Sequence, residues 1–186
     1  MLGKLATEVA TDRPDLLAPA VVTALAAWPT DAPVPVTDIL VAPIDPELAD
    51  TAAFCEAYDV ALDASANCVV VSGKREGDTR FAACMILATT RADVNGVVRR
   101  QLDVRKASFA PMAEAVELTG MEYGGITPLG VPAGWPVLVD AAVAATSLVV
   151  IGSGIRGSKI VLPGAALAVL PGALVIDELG RPIAVA

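Results

Sequence analysis

The chain has 186 residues, enough for one domain with a full core and too few for two. It is apolar on average, with a mean hydropathy of +0.63, yet acidic: 13 Lys and Arg face 21 Asp and Glu, for a net charge of −8. The absence of histidine excludes Ser-His-Asp and Cys-His catalysis and histidine-held metals. Cys55, Cys68 and Cys84 lack C-x-x-C spacing, so neither a disulfide framework nor a zinc site is expected.

In chain order, the first twelve residues mix Lys4, Glu8 and Asp12 among apolar ones and do not read as a leader. Arg13-Pro14-Asp15 predicts a helix start, followed by Leu16, Leu17, Val21, Val22 and Leu25 at helical spacing. Residues 28–35 hold three prolines and read as a linker, so residues 1–35 are expected to form a helical extension and residues 36–180 the main domain. A short strand is predicted over 38–44. Asp45-Pro46-Glu47 then predicts a helix carrying Leu48, Ala52, Cys55 and Tyr58. Residues 68–72 and 81–89 are rich in β-formers and flank a loop from Gly73 to Asp78, which predicts a hairpin. Asp93 is placed to cap a helix through Leu102, and a helix from Pro111 to Leu118 is stopped by Gly120. Strands are predicted at 137–140, 148–151 and 160–162, then a short helix over 165–170 and a last strand over 173–176. This irregular interleaving predicts a mixed-sheet α/β (α+β) domain. The longest apolar stretch, 137–151, holds Asp140, Thr146 and Ser147 and falls short of a membrane span. A cytoplasmic location with no membrane partner is the expectation.

Charge is unevenly distributed. Residues 1–66 carry two bases against eleven acids, whereas residues 67–186 carry eleven bases against ten acids. Lys74, Arg75, Arg80, Arg91, Arg99, Arg100, Arg105 and Lys106 crowd into one stretch, either as solvated hairpin tips and helix faces or as a local surface for RNA phosphate. The overall negative charge opposes strong non-specific binding to nucleic acid, and DNA is not an expected partner.

Two glycine-rich segments carry the functional signal. Gly152-Ser153-Gly154-Ile155-Arg156-Gly157 spells G-x-G-x-x-G after an apolar strand. A dinucleotide site needs a helix to begin at the third glycine, and Ser158-Lys159-Ile160-Val161 reads as a strand instead. No nucleotide cofactor is therefore expected, although the loop could still hold an anion through its glycine N–H groups and Arg156. The second segment, Thr119-Gly120-Met121-Glu122-Tyr123-Gly124-Gly125-Ile126-Thr127-Pro128-Leu129-Gly130, suits neither helix nor strand. Its glycine pair lets backbone N–H groups approach a ligand, and Pro128 stiffens the loop that aims them.

This second segment resembles the signature loop of the YbaK/EbsC family, the prolyl-tRNA-editing domains that act as aminoacyl-tRNA deacylases. The resemblance continues through Pro136-Val137-Leu138-Val139-Asp140, the turn Gly154-Ile155-Arg156-Gly157 and Ile160-Val161-Leu162-Pro163. It implies a mixed, partly barrel-like sheet with surrounding helices. It also implies hydrolysis of the ester on a mischarged tRNA, without metal or cofactor, by backbone amides of Gly124 and Gly125 and the 2′-OH of the terminal adenosine. Asn67, Thr119, Gly120, Ile126, Thr127, Pro128, Ser153, Gly154 and Arg156 are the positions it implies for substrate binding. The aminoacyl-tRNA 3′ end is the implied ligand, with prolyl-tRNA synthetase as a partner in trans. Two positions depart from the family pattern. Asn67-Cys68 stands where members usually have Lys-Thr, and Lys159 stands where they tend to have aspartate. The charge exchange marks Lys159 as a candidate catalytic residue. The alternative is a non-catalytic relative that binds a tRNA 3′ end, a small aminoacyl ligand or a synthetase.

Overall fold

The computed structural model describes residues 2–183. Its elements begin with strand β1 (Glu8–Val9), helix α1 (Pro19–Ala26), strand β2 (Leu40–Pro43) and helix α2 (Thr51–Tyr58). The hairpin β3 (Ala66–Arg75) and β4 (Asp78–Leu87) follows, then β5 (Thr90–Ala92). A π-turn over Val94–Val98 runs into α3 (Arg99–Gln101), and β6 (Ala107–Phe109) and α4 (Met112–Thr119) come next. After the glycine loop come β7 (Val137–Asp140), α5 (Ala141–Ala145), β8 (Val149–Gly152) and β9 (Ser158–Leu162). A 3₁₀ helix over Gly164–Val169 leads to β10 (Ala173–Ile176) and β11 (Gly180–Pro182).

The strands form three sheets. The largest has the order β10-β7-β4-β3-β6, with parallel pairing where β7 meets β4 and β10 and antiparallel pairing elsewhere. The second, β1-β2-β9-β8, is antiparallel throughout, and β11-β5 makes a two-stranded ribbon. A single bridge, Ser65 to Val150, joins the first two sheets at the start of β3. The sheets therefore wrap part-way round one core and do not close into a barrel. The main core lies between them, built from residues such as Met85, Val137, Val139, Ile151, Ile160 and Leu162.

The hairpin runs further than its sequence suggests. Glu76 and Gly77 both adopt positive φ, at 55° and 96°, so a two-residue turn replaces the longer loop expected from Gly73 to Asp78. Two expected helices are split. Pro14–Leu16 makes only one 3₁₀ turn, and α1 restarts at Pro19. The Asp45 carboxylate caps Pro46–Leu48 by accepting from the Glu47 N–H at 3.0 Å, but Asp50 is extended and α2 begins afresh at Thr51. These breaks matter to the site, because they bring residues 46–51 across the ends of β3 and β9.

Residues 8–25, within the expected extension, pack on the domain. β1 pairs with β2, and Leu17, Ala18, Val21 and Leu25 are buried in the main core. The linker over 28–35 is closed by the Trp28 indole N–H, which donates to the Val34 carbonyl at 2.9 Å.

Candidate functional site

Two glycine turns zip together to make the frame of the site. The Glu122 N–H donates to the Gly154 carbonyl at 2.9 Å, and the Gly154 N–H donates to the Gly125 carbonyl at 2.7 Å. The Glu122 carboxylate accepts from the Arg156 backbone N–H at 2.6 Å. The Arg156 guanidinium then straps the frame to the α2 approach, donating to the Tyr123 carbonyl at 3.3 Å and the Pro46 carbonyl at 3.0 Å. Close packing explains the glycines: a Cβ on Gly152 would lie 2.3 Å from the Gly125 carbonyl oxygen, and one on Gly125 would lie 2.6 Å from the Ile155 backbone.

Inside this frame lies a cleft of about 210 Å³. It is walled by Ala49, Asp50 and Thr51 before and within α2, by 65–69 at the open edge of β3, by Tyr123, Gly124 and Ile126, and by the end of β8. Lys159 of β9 completes the lining. It is only 8 % exposed, with the Nζ ammonium donating to the Ala49 carbonyl at 3.0 Å and standing 5.3 Å from the centre of the Phe54 ring. Desolvation pushes the Lys159 pKa down, as does nearby Arg156, while Cys55 and Asp50 partly offset the shift. Three donors and one acceptor leave N–H groups free for a ligand.

Asn67 faces the same cleft, its Oδ1 accepting from the Thr51 hydroxyl at 2.7 Å, which fixes the amide orientation. Gly124 also lines the cleft, with φ at 85°, and its N–H has no acceptor among the described residues. Cys68 lines it too, but burial above all, and then neighbouring Cys84, pushes its thiol pKa up, so it is not a ready nucleophile.

The cleft thus gathers Asn67, Gly124, Ile126 and Lys159 from the expected site. Gly125 is buried beside it, and its N–H is spent on the Glu122 carbonyl at 2.9 Å, so Gly124 is left as the donor of that pair. The other expected residues support the frame and do not line the cleft. The Thr119 hydroxyl donates to the Ala115 carbonyl and accepts from the Met121 N–H, and Gly120 ends α4 with φ at 65°. Thr127 is fully buried with an unpartnered hydroxyl, and Pro128 packs beside Trp28 in a separate hollow. Ser153 pairs with the Ser158 hydroxyl at 2.7 Å, Gly154 seats against Ala18, and Arg156 forms the strap. Asp140, at the end of β7, is structural as well: its carboxylate caps α5 through the Ala142 N–H and holds the Gly180 N–H at 2.6 Å. Ala49, Asp50, Thr51, Ser65, Tyr123 and Gly152 are site residues that sequence reasoning missed. The lone aromatic in the glycine loop was the available signal.

A family model for the aminoacyl-tRNA editing domain matches residues 45–170. The chain belongs to the aminoacyl-tRNA editing domain family. The match starts at the Asp45 cap and takes in every wall of the cleft. Solved structures with the editing-domain fold include a candidate trans-editing enzyme for prolyl tRNA synthetase, 20% identical, covering 87% of this chain and 97% of its own at a TM-score of 0.69. A scaffold protein from a computational epitope-grafting study is 19% identical, with 86% and 95% covered and a TM-score of 0.70. Hypothetical protein APE2540 is 21% identical, with 77% and 90% covered and a TM-score of 0.64. A search of curated proteins gives no significant match. Among the described residues, no helix of this editing domain is long and apolar enough to cross a membrane.

Proposed function

We propose that the protein is a freestanding deacylase that hydrolyses the ester of a mischarged aminoacyl-tRNA, with Lys159 supplying the cation of the site. The observation that carries this reading is a buried ammonium with unspent donors in the same cleft as Asn67 and the free Gly124 N–H. The terminal ribose and its aminoacyl group enter the cleft. The ester carbonyl oxygen accepts from the Gly124 N–H and lies within reach of the ammonium, so both stabilise the negative charge that grows there as water adds. The 2′-OH next to the ester holds the attacking water, the C–O bond to the 3′-oxygen breaks, and that oxygen leaves with the proton. Water and ester become a free amino acid and a tRNA with its 3′-OH restored. An activated ester needs little beyond such positioning. Ala66, Ile126 and Ile151 give the small cleft an apolar wall, which suits a compact aminoacyl group.

An acidic chain with one basic stretch is poorly equipped to hold a whole tRNA, which supports a synthetase such as prolyl-tRNA synthetase as the partner that presents it. The deciding experiment is a panel of mischarged tRNAs incubated with the protein while free amino acid is followed. Release above the spontaneous rate from at least one member is expected, with loss of most of it in Lys159→Ala. No acceleration on any member, with the tRNA still bound, would assign the cleft to recognition without catalysis.

A further inference from the structure

On the far side of the Arg156 strap from the cleft lies an open groove floored by Met112, Ala113, Val116 and Ile155. Tyr123 belongs to both hollows, and Pro46, the other anchor of the strap, also borders the groove. Tyr123 is 59 % exposed, and its hydroxyl makes no hydrogen bond among the described residues. It is an aromatic face held in solvent by a backbone that is itself held rigidly, since the Tyr123 carbonyl is anchored by Arg156 and the Glu122 N–H by Gly154. The Arg156 guanidinium is bonded only to carbonyl oxygens and has no carboxylate partner among the described residues. A fixed, un-neutralised cation beside an exposed aromatic ring, at the mouth of a cleft for a nucleotide terminus, has the chemistry of a single-strand nucleic-acid subsite.

We propose that this groove receives the nucleotide before the terminal adenosine, its base stacked on Tyr123 and the phosphate that links it to the adenosine crossing at Arg156. The proposal rests on the deacylase reading for the identity of the RNA. The groove and the cleft share Tyr123, so a strand whose last ribose sits in the cleft reaches the strap within one nucleotide. Two carboxylates, Glu47 and Glu122, border the groove. They oppose a second phosphate and limit the subsite to one nucleotide. They also favour a base that presents a donor. Cytosine offers its N4 amine to a carboxylate, and a cytidine precedes the terminal adenosine in every tRNA.

The test compares binding of the dinucleotide CpA and of AMP by calorimetry. Both offer a phosphate to Arg156, and AMP carries the larger negative charge, so tighter binding of CpA reports the added nucleoside and the Tyr123 variants assign it to the stack. The wild-type protein should bind CpA roughly tenfold more tightly than AMP, the size of one base–aromatic stack. Tyr123→Ala should bring the two close to parity, Tyr123→Phe should keep the difference, and Arg156→Gln should weaken both ligands together. Equal binding of CpA and AMP by the wild type, or an unchanged ratio in Tyr123→Ala, overturns the subsite. Ester hydrolysis is not needed for either outcome, so failure here is distinct from failure of the deacylase reading.

Discussion

Lys159 keeps a charge in a place that penalises it. Burial among Phe54, Ala49 and Val150 lowers its pKa, and the one hydrogen bond to the Ala49 carbonyl does not replace the water that an ammonium loses. The folded-state pKa lies below the unfolded one, so between the two values the unfolded chain binds more protons. The destabilisation from this residue is therefore full below the depressed pKa and fades as pH rises toward the ordinary lysine value. Replacing the charge by an apolar side chain of similar length should stabilise the fold while harming the chemistry. Lys159→Met is expected to stabilise the fold by roughly 1 kcal/mol at neutral pH, seen as a higher unfolding midpoint, and to lose most hydrolysis. Thermal unfolding and a single-turnover assay read the two effects, and a lower midpoint would show that the ammonium is a structural prop. The same shift gives kcat/KM an alkaline limb below the usual lysine range, and Lys159→Arg should abolish that limb because guanidinium does not titrate there.

Among the elements, the pair of glycine turns decides whether a cleft exists. In Gly152-Ser153-Gly154-Ile155-Arg156-Gly157 the first two glycines are needed for close approach: Gly152 to the Gly125 and Ile126 carbonyls, and Gly154, at φ 88°, to Ala18. The third is not, since a Cβ on Gly157 would meet nothing nearer than Pro46 at 3.9 Å. Two of the three glycines that spell a nucleotide fingerprint here have a packing cause. Gly152→Ala should cost about 1–3 kcal/mol through forced separation of the turns and take hydrolysis with it. Gly157→Ala should leave the melting temperature nearly unchanged. Equal melting temperatures for the two variants would contradict this account. Sequence reading found the hairpin, β7 to β10, the Asp93 cap and the glycine loop, because turn residues and apolar runs mark them locally. It missed β1, β5, β6 and β11, which have two or three residues each, too few to show alternation. It also missed α5, five residues between two strands. At the cleft, Gly124 was legible from the glycine-rich loop and Lys159 only through the family resemblance, from whose pattern it departs. Ala49, Thr51 and Ser65 were not, because only the tertiary meeting of α2, β3 and β9 makes them neighbours.

At the scale of the molecule, charge is segregated along the same strand that serves the cleft. The first half of β3 lines the cleft, and its far end, seven residues and about 23 Å away from Asn67, carries Lys74 and Arg75 beside the 99–106 turn. Asp103 neutralises part of this patch by pairing with Arg75 and Arg80, while Lys74, Arg100, Arg105 and Lys106 have no carboxylate partner among the described residues. Weak tRNA binding that falls steeply with salt is the expected behaviour. Joint replacement of Lys74, Arg105 and Lys106 by Ala should flatten the log–log salt slope by about one for each phosphate these side chains hold. An unchanged slope in a filter-binding titration would leave these groups as solvated tips. The packing of the opening segment has a consequence for how such a module can be moved between proteins. The family match starts at residue 45, yet the Ala18 N–H donates to the Ser153 carbonyl at 3.1 Å, the Ser158 hydroxyl bonds the Leu16 carbonyl, and Gly154 rests on Ala18. A graft cut at the matched boundary would leave the Gly154 turn hanging over an empty seat. In this chain the smallest portable unit of the fold includes the residues before the part that matches the family.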